Sequence, residues 1–484
     1  MERRKGVLLC AVMLWCITLS AQDELRKAFD DFTNSSKAAH AQFTDSVNTR
    51  FAETLRDTWH KYGIEELPEP NTQPIPVIQP TDTVSVSNKS LPVMEEMEDI
   101  PLQWPLESDS ALWTTQAYGV IEYRDVKFMF FGVEQTVSIP YDYGTFHPEG
   151  ISEADVSDFW KRLSQYDYNR ILKQCNKLRR SSGYNDWAIY LWIQALAETI
   201  FLVDRNSERA IFTVFIANQA GLMSKVARAN RVLIGLFASM QPIYARKYIV
   251  VDTYRYYVAG AEPPANDIYT YNVAFGKPTR PLDMRVSQQF KIGGDSGYTT
   301  VYKYSTVLKK TLALPINSSL MSFYSHYPQL DVNVYAMATP DKLFTKALID
   351  SIKPVIANMK SPEIVELILR FIQTDFDYRI DMEQFGYEKP FFCEENFIYE
   401  YNDCEDRTIL FYYLVRLFTG CQTVILDYPG HTAAAVCIEG DYKGDYVKHD
   451  GRKYYVCDPS FVGAKIGMTM PDYKTTPAKI WIIN

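Results

Sequence analysis

An α+β fold is predicted for this chain, ending in a helix packed on an antiparallel sheet. Three observations predict it. Apolar residues recur at helical spacing in blocks such as Trp187–Leu202 and Ala210–Leu222, and strand-like alternation follows in separate blocks such as Thr299–Thr306. The last part of the chain reads as an apolar helix followed by three short strands joined by turns. At 484 residues the chain exceeds what one core serves, so two or three domains are expected.

The opening residues 1–21 read as a secretory leader. Arg3, Arg4 and Lys5 precede an apolar run, Gly6 to Leu19, that is short for a membrane span, and Ser20-Ala21 supply small residues for cleavage. Export to the periplasm or beyond the cell is the expected location. A lipoprotein reading through Cys16 is disfavoured by Trp15 beside it, and an uncleaved anchor is the rival. No later apolar run is long enough for a membrane helix. Residues 22–66 read as helix, with Leu25, Phe29, Phe32, Phe43, Val47, Phe51, Leu55 and Trp59 near one face. Residues 67–106 read as a stiff or disordered linker, rich in proline from Pro68 to Pro92. Residues 107–339 read as an α+β domain: a hairpin over 117–140 around Val120, Phe128, Phe130 and Val137, helices over 153–240, then strands over 243–335. Residues 340–484 form the last domain, opened by a helix from Pro340 to Lys360.

Composition excludes some functions. The formal charge is −9 and no basic run follows the leader, so a nucleic-acid partner is not expected. The 34 tyrosines fit half-buried sheet positions and name no ligand. Six cysteines follow the leader: Cys175, Cys393, Cys404, Cys421, Cys437 and Cys457. None stands in a CxxC pair, so no structural metal and no cofactor are expected.

The chemistry concentrates after residue 360. Ser361-Pro362-Glu363 opens a helix, with Ser361 read as its cap. After a polar and aromatic loop, Asn402-Asp403-Cys404-Glu405-Asp406-Arg407 leads into the apolar run Thr408–Phe418. Cys404 thus sits in the first turn of a core helix, where free N–H groups and the helix dipole favour a thiolate and can stabilise an oxyanion. The flanking carboxylates push the thiol pKa up unless they point elsewhere, for which Arg407 is the candidate partner. Thr423–Leu426 reads as a strand, Tyr428-Pro429-Gly430 as a turn, and His431–Ile438 as a second strand. Asp441–Gly451 reads as a polar connection, and Lys453–Cys457 as a third strand closed by Asp458-Pro459. If the last two strands pair, His431 and Asp458 share one open end, where Asp458 orients the imidazole and His431 takes the thiol proton.

These pieces, DCEDRTILF, YPGHTAAAV and YYVCDPSFVGAKIG, resemble the transglutaminase-like superfamily of papain-like fold over roughly residues 340–484. The resemblance implies a Cys404–His431–Asp458 triad that performs acyl transfer on a glutamine or peptide carbonyl of a protein or peptide substrate. It does not separate amide hydrolysis from cross-linking, and the superfamily also has inactive members. Gln384 is the side-chain candidate for the oxyanion, and Pro390, Phe391 and Phe392 for lining the approach. The alternative function is a non-catalytic binding or structural module with an envelope partner.

A second similarity lies within the chain. Arg205–Phe212 resembles Asp403–Leu410, and Arg255-Tyr-Tyr-Val258 resembles Lys453-Tyr-Tyr-Val456. Setting Arg209 over Arg407 puts Asn206 on Cys404, Gly260 on Asp458 and Leu233 near His431. The upstream domain is therefore a candidate degenerate copy that lacks the triad. Elsewhere His449 reads as a solvated loop residue, Asp427 as a surface or capping residue, and Cys393, Cys421, Cys437 and Cys457 as packing residues or disulfide partners. Facing 431 with 458 would set Cys437 opposite residue 452, which argues against a Cys437–Cys457 bridge.

Overall fold

The computed structural model describes residue 27 and residues 46–70, 88–98, 122–261, 265–293, 297–440 and 442–483. The leader, Val120 and most of the proline-rich stretch lie outside the described residues. The fold is mixed α+β, and no described helix is long and apolar enough to cross a membrane.

Helix α1, residues 46–55, presents Val47, Phe51 and Leu55 to the core. It ends there: strands β1 (Trp59–Gly63) and β2 (Glu65–Glu66) replace the single helix expected to residue 66, and Trp59 lies on a strand. Strand β3 (Val93–Glu98) falls inside the expected linker. The hairpin β4 (Tyr123–Phe130) and β5 (Val133–Pro140) comes next, then helices α2 (Glu153–Ser164), α3 (Asn169–Ser182), α4 (Asp186–Ile200) and α5 (Asn206–Gln219). Strands β6 (Ser224–Ala229) and β7 (Val232–Ala238) correct the helical expectation for that stretch. They are followed by β8 (Lys247–Val251), β9 (Tyr254–Val258) and β10 (Asp267–Tyr271).

A second series repeats the plan: hairpin β11 (Tyr298–Ser305) and β12 (Lys310–Asn317), then α6 (Ser318–Tyr324), α7 (Val332–Ala336), α8 (Lys342–Ile356), α9 (Ser361–Asp375) and the two-residue β13 (Asp377–Tyr378). Then come α10 (Asp381–Gln384), β14 (Tyr401–Asn402), α11 (Cys404–Thr419), β15 (Thr423–Tyr428), β16 (His431–Val436), β17 (Tyr446–His449), β18 (Arg452–Cys457) and β19 (Ala478–Ile482).

Two main sheets result. The upstream order is β1-β10-β6-β7-β9-β8-β2, and the downstream order is β17-β18-β16-β15-β19-β3. Read from β8, the upstream order β8-β9-β7-β6-β10-β1 matches the downstream one strand for strand. The registers agree too: Tyr248 faces Tyr257 as Tyr446 faces Tyr455, a shift of 198 in both partners. The outermost strand differs in sense, β1 being antiparallel to β10 and β3 parallel to β19.

Apolar side chains cover one face of each sheet with helices. Trp160, Trp192, Phe215 and Phe237 fill the upstream core. Phe344, Ile368, Phe411 and Val436 fill the downstream one, where Leu312, Leu314 and Ile316 of β12 also pack. The downstream body therefore draws on the hairpin before residue 340. The two bodies touch: Tyr324 stacks on Phe392 at 3.8 Å, and Ile409, Tyr412 and Trp481 join the upstream core.

The start of α4 carries a buried ion network. Asn185 caps the helix by accepting from the Ala188 N–H. Next to it, Asp186 pairs with Arg179 and Arg280 and accepts from the Asp283 N–H at 3.0 Å. Burial alone would raise this carboxyl, but the two guanidiniums hold it below its ordinary 3.8. Asp186→Ala is expected to cost about 3–5 kcal/mol in chemical denaturation, because two arginines lose their buried partner. With a depressed folded pKa, this contribution is present above pH 3.8 and fades as pH falls through the folded value.

Candidate active site

Cys404 is the first residue of α11. Asp403 is the N-cap, and its N–H donates to the Asp406 carboxylate at 3.3 Å, so the acidic cluster is in part a capping device. Gly420 closes the helix at φ +67. Upstream of it, the cap of α9 is Lys360, whose N–H donates to Glu363 at 2.7 Å, one residue before the expected Ser361.

Pro429 and Gly430 form the two-residue turn between β15 and β16, with Gly430 at φ +79 and Tyr428 opposite His431. Across β16 and β18, Ala434 faces Cys457. Asp458 is therefore level with Ala433, two residues from His431 and on the same face. This corrects the expected 431–458 pairing by two positions; the side chains still meet. His431 Nε2 lies 2.8 Å from Asp458 Oδ2, and both residues are buried. Asp458 Oδ1 accepts from the N–H groups of Ser460 (2.9 Å) and Phe461 (3.1 Å), which fixes the carboxylate. The imidazole packs between Tyr473, at 4.8 Å, and Tyr428, at 6.2 Å. Its Nδ1 is buried and has no partner among the described residues.

The sulfur lies beside the same strand. The backbone N–H of Thr432, the residue after His431, bonds to Cys404, and Thr408 Oγ1 donates to the Thr432 carbonyl at 3.0 Å. The thiol itself donates to Glu405 Oε2 at 3.1 Å rather than to the imidazole. Cys404 is 1% exposed. Burial, the charges of Glu405 and Asp403 and the bond to Glu405 push this thiol well above the usual range, against the lowering pull of the Thr432 N–H.

Arg407, the candidate partner of these carboxylates, turns elsewhere. That guanidinium donates to the carbonyls of Phe376 (2.5 Å) and Pro459 (3.5 Å). Asp381, Glu388, Asp403 and Glu405 instead gather, each offering one oxygen within 4.8 Å of the others. Burial, then the Glu405 charge, pushes Asp381 up to about 9; Asp403 and Asp406 are also raised well above their ordinary range, first by burial. Such a group holds either protons or a cation. The missing CxxC pattern spoke only to thiolate sites and left a carboxylate group open.

The other sequence candidates fall differently. The Gln384 amide is committed to Tyr401, donating to its carbonyl at 3.4 Å and accepting from its N–H at 3.2 Å. These bonds use its oxygen and one of its two N–H donors. Phe391 and Phe392 are buried in packing, Phe391 donating its N–H to Asp406 at 2.8 Å, so they do not line an open approach. Pro390 does line a cavity of about 260 Å³, together with Glu388 of the acidic group. His449 lies on β17 and pairs with Glu96 at 3.0 Å, not in a solvated loop. Asp427 is half-buried on β15, where burial pushes its carboxyl up to about 6. All six described cysteines are free.

One residue escaped the sequence reading. Tyr378, on β13, has a buried hydroxyl without a partner and lies within electrostatic reach of Cys404, Asp403 and Glu405. It follows α9 with no motif to mark it, and only the fold brings it to the cysteine.

No protein-family model, characterised protein or solved structure matches this chain.

Proposed function

We infer that the chain is a cysteine-dependent acyl-transfer enzyme acting on protein or peptide amides, exported by its leader. The supporting observation is the His431–Asp458 pair with Nδ1 left unpartnered, on the strand whose next N–H reaches the Cys404 sulfur. In this reading His431 Nδ1 takes the thiol proton and the sulfur attacks the amide carbon. The C–N bond then breaks, and the amine leaves with the proton from His431. Water or a second amine resolves the thioester. The Thr432 N–H and the Tyr378 hydroxyl are the donors for the oxyanion. Because Cys404 is buried and bonded to Glu405, substrate entry must expose the sulfur and turn its hydrogen to His431.

Glu405→Gln removes a negative charge that opposes thiolate formation. It is expected to raise the iodoacetamide alkylation rate of Cys404 near neutral pH by about tenfold, the effect of roughly one pKa unit on thiolate population.

The same burial and the same charges favour a second reading, a transglutaminase-like binding module with an inert cysteine. Incubation with casein and a fluorescent primary amine tests both. Incorporated label means transglutamination and cleaved chains mean hydrolysis. Neither product, with Cys404 resistant to alkylation, sinks the enzymatic reading.

A further inference from the structure

The upstream body has a pocket of about 350 Å³ lined by Asn206, Leu233 and Gly260. At the sequence offset of 198 these positions fall on Cys404, His431 and Asp458; strand register moves the His431 match one place to Val232, which lines the same pocket. The alignment rests on strand order and register as well as on sequence. Asn206 opens α5 as Cys404 opens α11, and each helix packs on its own sheet through β7 or β16. The pocket therefore occupies the place of the downstream triad, without its chemistry.

The downstream body fills the neighbouring space with its own chain. Twenty residues, 458–477, separate β18 from β19, and this connection folds back over α9. Gln373 of α9 holds it: its amide donates to the carbonyls of Asp458 (3.0 Å), Phe461 (2.8 Å) and Ala464 (3.2 Å) and accepts from the Gly463 N–H at 3.2 Å. Upstream, only eight residues, 259–266, separate β9 from β10. The residue matching Gln373 is Glu198, each standing three residues before a capping phenylalanine, Phe376 or Phe201. Glu198 is exposed and lines the pocket. The upstream connection is thus less than half as long as the downstream segment that Gln373 holds.

We propose that this pocket is a peptide-binding site, seating a polypeptide turn of the kind that residues 459–467 supply to the downstream body. Tyr190 lines the pocket, and its buried hydroxyl has no partner among the described residues, so it can donate to a carbonyl. Glu198 accepts from N–H groups, so the walls offer both halves of an amide's hydrogen bonding. Gly235 lies against Tyr190, a Cβ there falling 3.4 Å from the hydroxyl, which leaves room for a small side chain over the strand. A phosphate ligand is disfavoured: the Arg209 guanidinium already donates to the Phe201 carbonyl at 2.8 Å and to the Glu198 backbone carbonyl at 3.5 Å, and the exposed Glu198 carboxylate lines the same pocket. A lipid chain would press hydrocarbon against Gln194, Glu198 and Asn206 in the wall and leave them without hydrogen-bond partners from the ligand.

The test is independent of the Cys404 chemistry, because it uses the full chain carrying Cys404→Ala. The probe is a fluorescent, acetylated peptide copying residues 459–467, followed by anisotropy. Saturable binding is expected. Ala261→Trp at the exposed rim should weaken it by about tenfold or more, as when an anchor is shut out of its pocket. Glu198→Gln, which installs the downstream amide, should preserve or tighten it. Glu198→Trp serves as the second blocking variant if Ala261→Trp alters thermal unfolding. Absence of saturable binding, or equal binding by wild type and both folded blocking variants, overturns the proposal.

Discussion

His431→Ala is expected to lower the acyl-transfer rate by about three orders of magnitude, the scale on which a general base and its orientation matter together. On the imidazole, Nδ1 has no partner among the described residues and Nε2 is held by Asp458. Its removal also empties a slot between Tyr428 and Tyr473. Asp458 would keep the N–H bonds from Ser460 and Phe461, so the expected loss of stability is about 1–3 kcal/mol. The two effects separate by measurement: circular dichroism reports the folded fraction, and single-turnover acylation of a glutaminyl peptide reports the rate. A rate that falls only with the folded fraction would reduce His431 to a packing residue. Asp458→Asn should cost about as much as His431→Ala: its one acceptor oxygen stays with the Ser460 and Phe461 N–H groups, and its NH2 then faces Nε2 and puts the ring proton on Nδ1.

The second large effect is on stability. Asp381, Asp403 and Asp406 are buried together with raised pKa values, so the folded state holds protons that the unfolded chain has released. For Asp381 the relevant window runs from its ordinary 3.8 to about 9. Stability is therefore fully present below this window and falls as pH rises through it, by on the order of 3 kcal/mol for the group acting as a unit. This slope opposes that of Asp186, which weakens only in acid. Asp381→Asn keeps an acceptor for the Lys389 N–H and removes the cost of taking up a proton on folding, so it should add about 1–2 kcal/mol at pH 8. Urea denaturation at a series of pH values checks both statements; a flat curve above pH 5 contradicts them. Repeating the series with calcium tells a proton from a cation: protons leave the slope in place, and a bound cation removes it.

Much of the downstream region was legible because its signals are local. An apolar run after an acidic cap marks α11, and Pro429-Gly430 between two apolar runs marks the tight turn that brings His431 back beside β15. Asp458 stood at a strand end, so its meeting with His431 required only that β16 and β18 be neighbours. The details that depend on distant chain were not legible. Nothing local says that Gln384 will spend its amide on Tyr401, or that Tyr378 will come to rest by the cysteine. The helix reading to residue 66 failed at β1, because Trp59 fits a helical period as well as it fits a strand that pairs with β10. Proline spacing suggested a linker through residue 106, yet Val93–Glu98 finds a partner in β19 that lies almost the whole chain away. The shared plan of the two bodies showed in the sequence only as two short matches at one offset; strand order and register are what give the offset its meaning.

The pairing of β3 with β19 bears on how the molecule is made. Val93 lies beside Ala478, so the downstream sheet takes its edge strand from chain synthesised early and the neighbouring strand from chain synthesised long afterwards. During translation, β3 waits as an unclaimed ribbon while everything between it and β19 emerges. The sheet that carries His431 can be completed only after residues 478–482 have emerged. A truncated protein that begins after residue 98 would leave the outer side of β19 as an open template for other chains, and would be expected to aggregate.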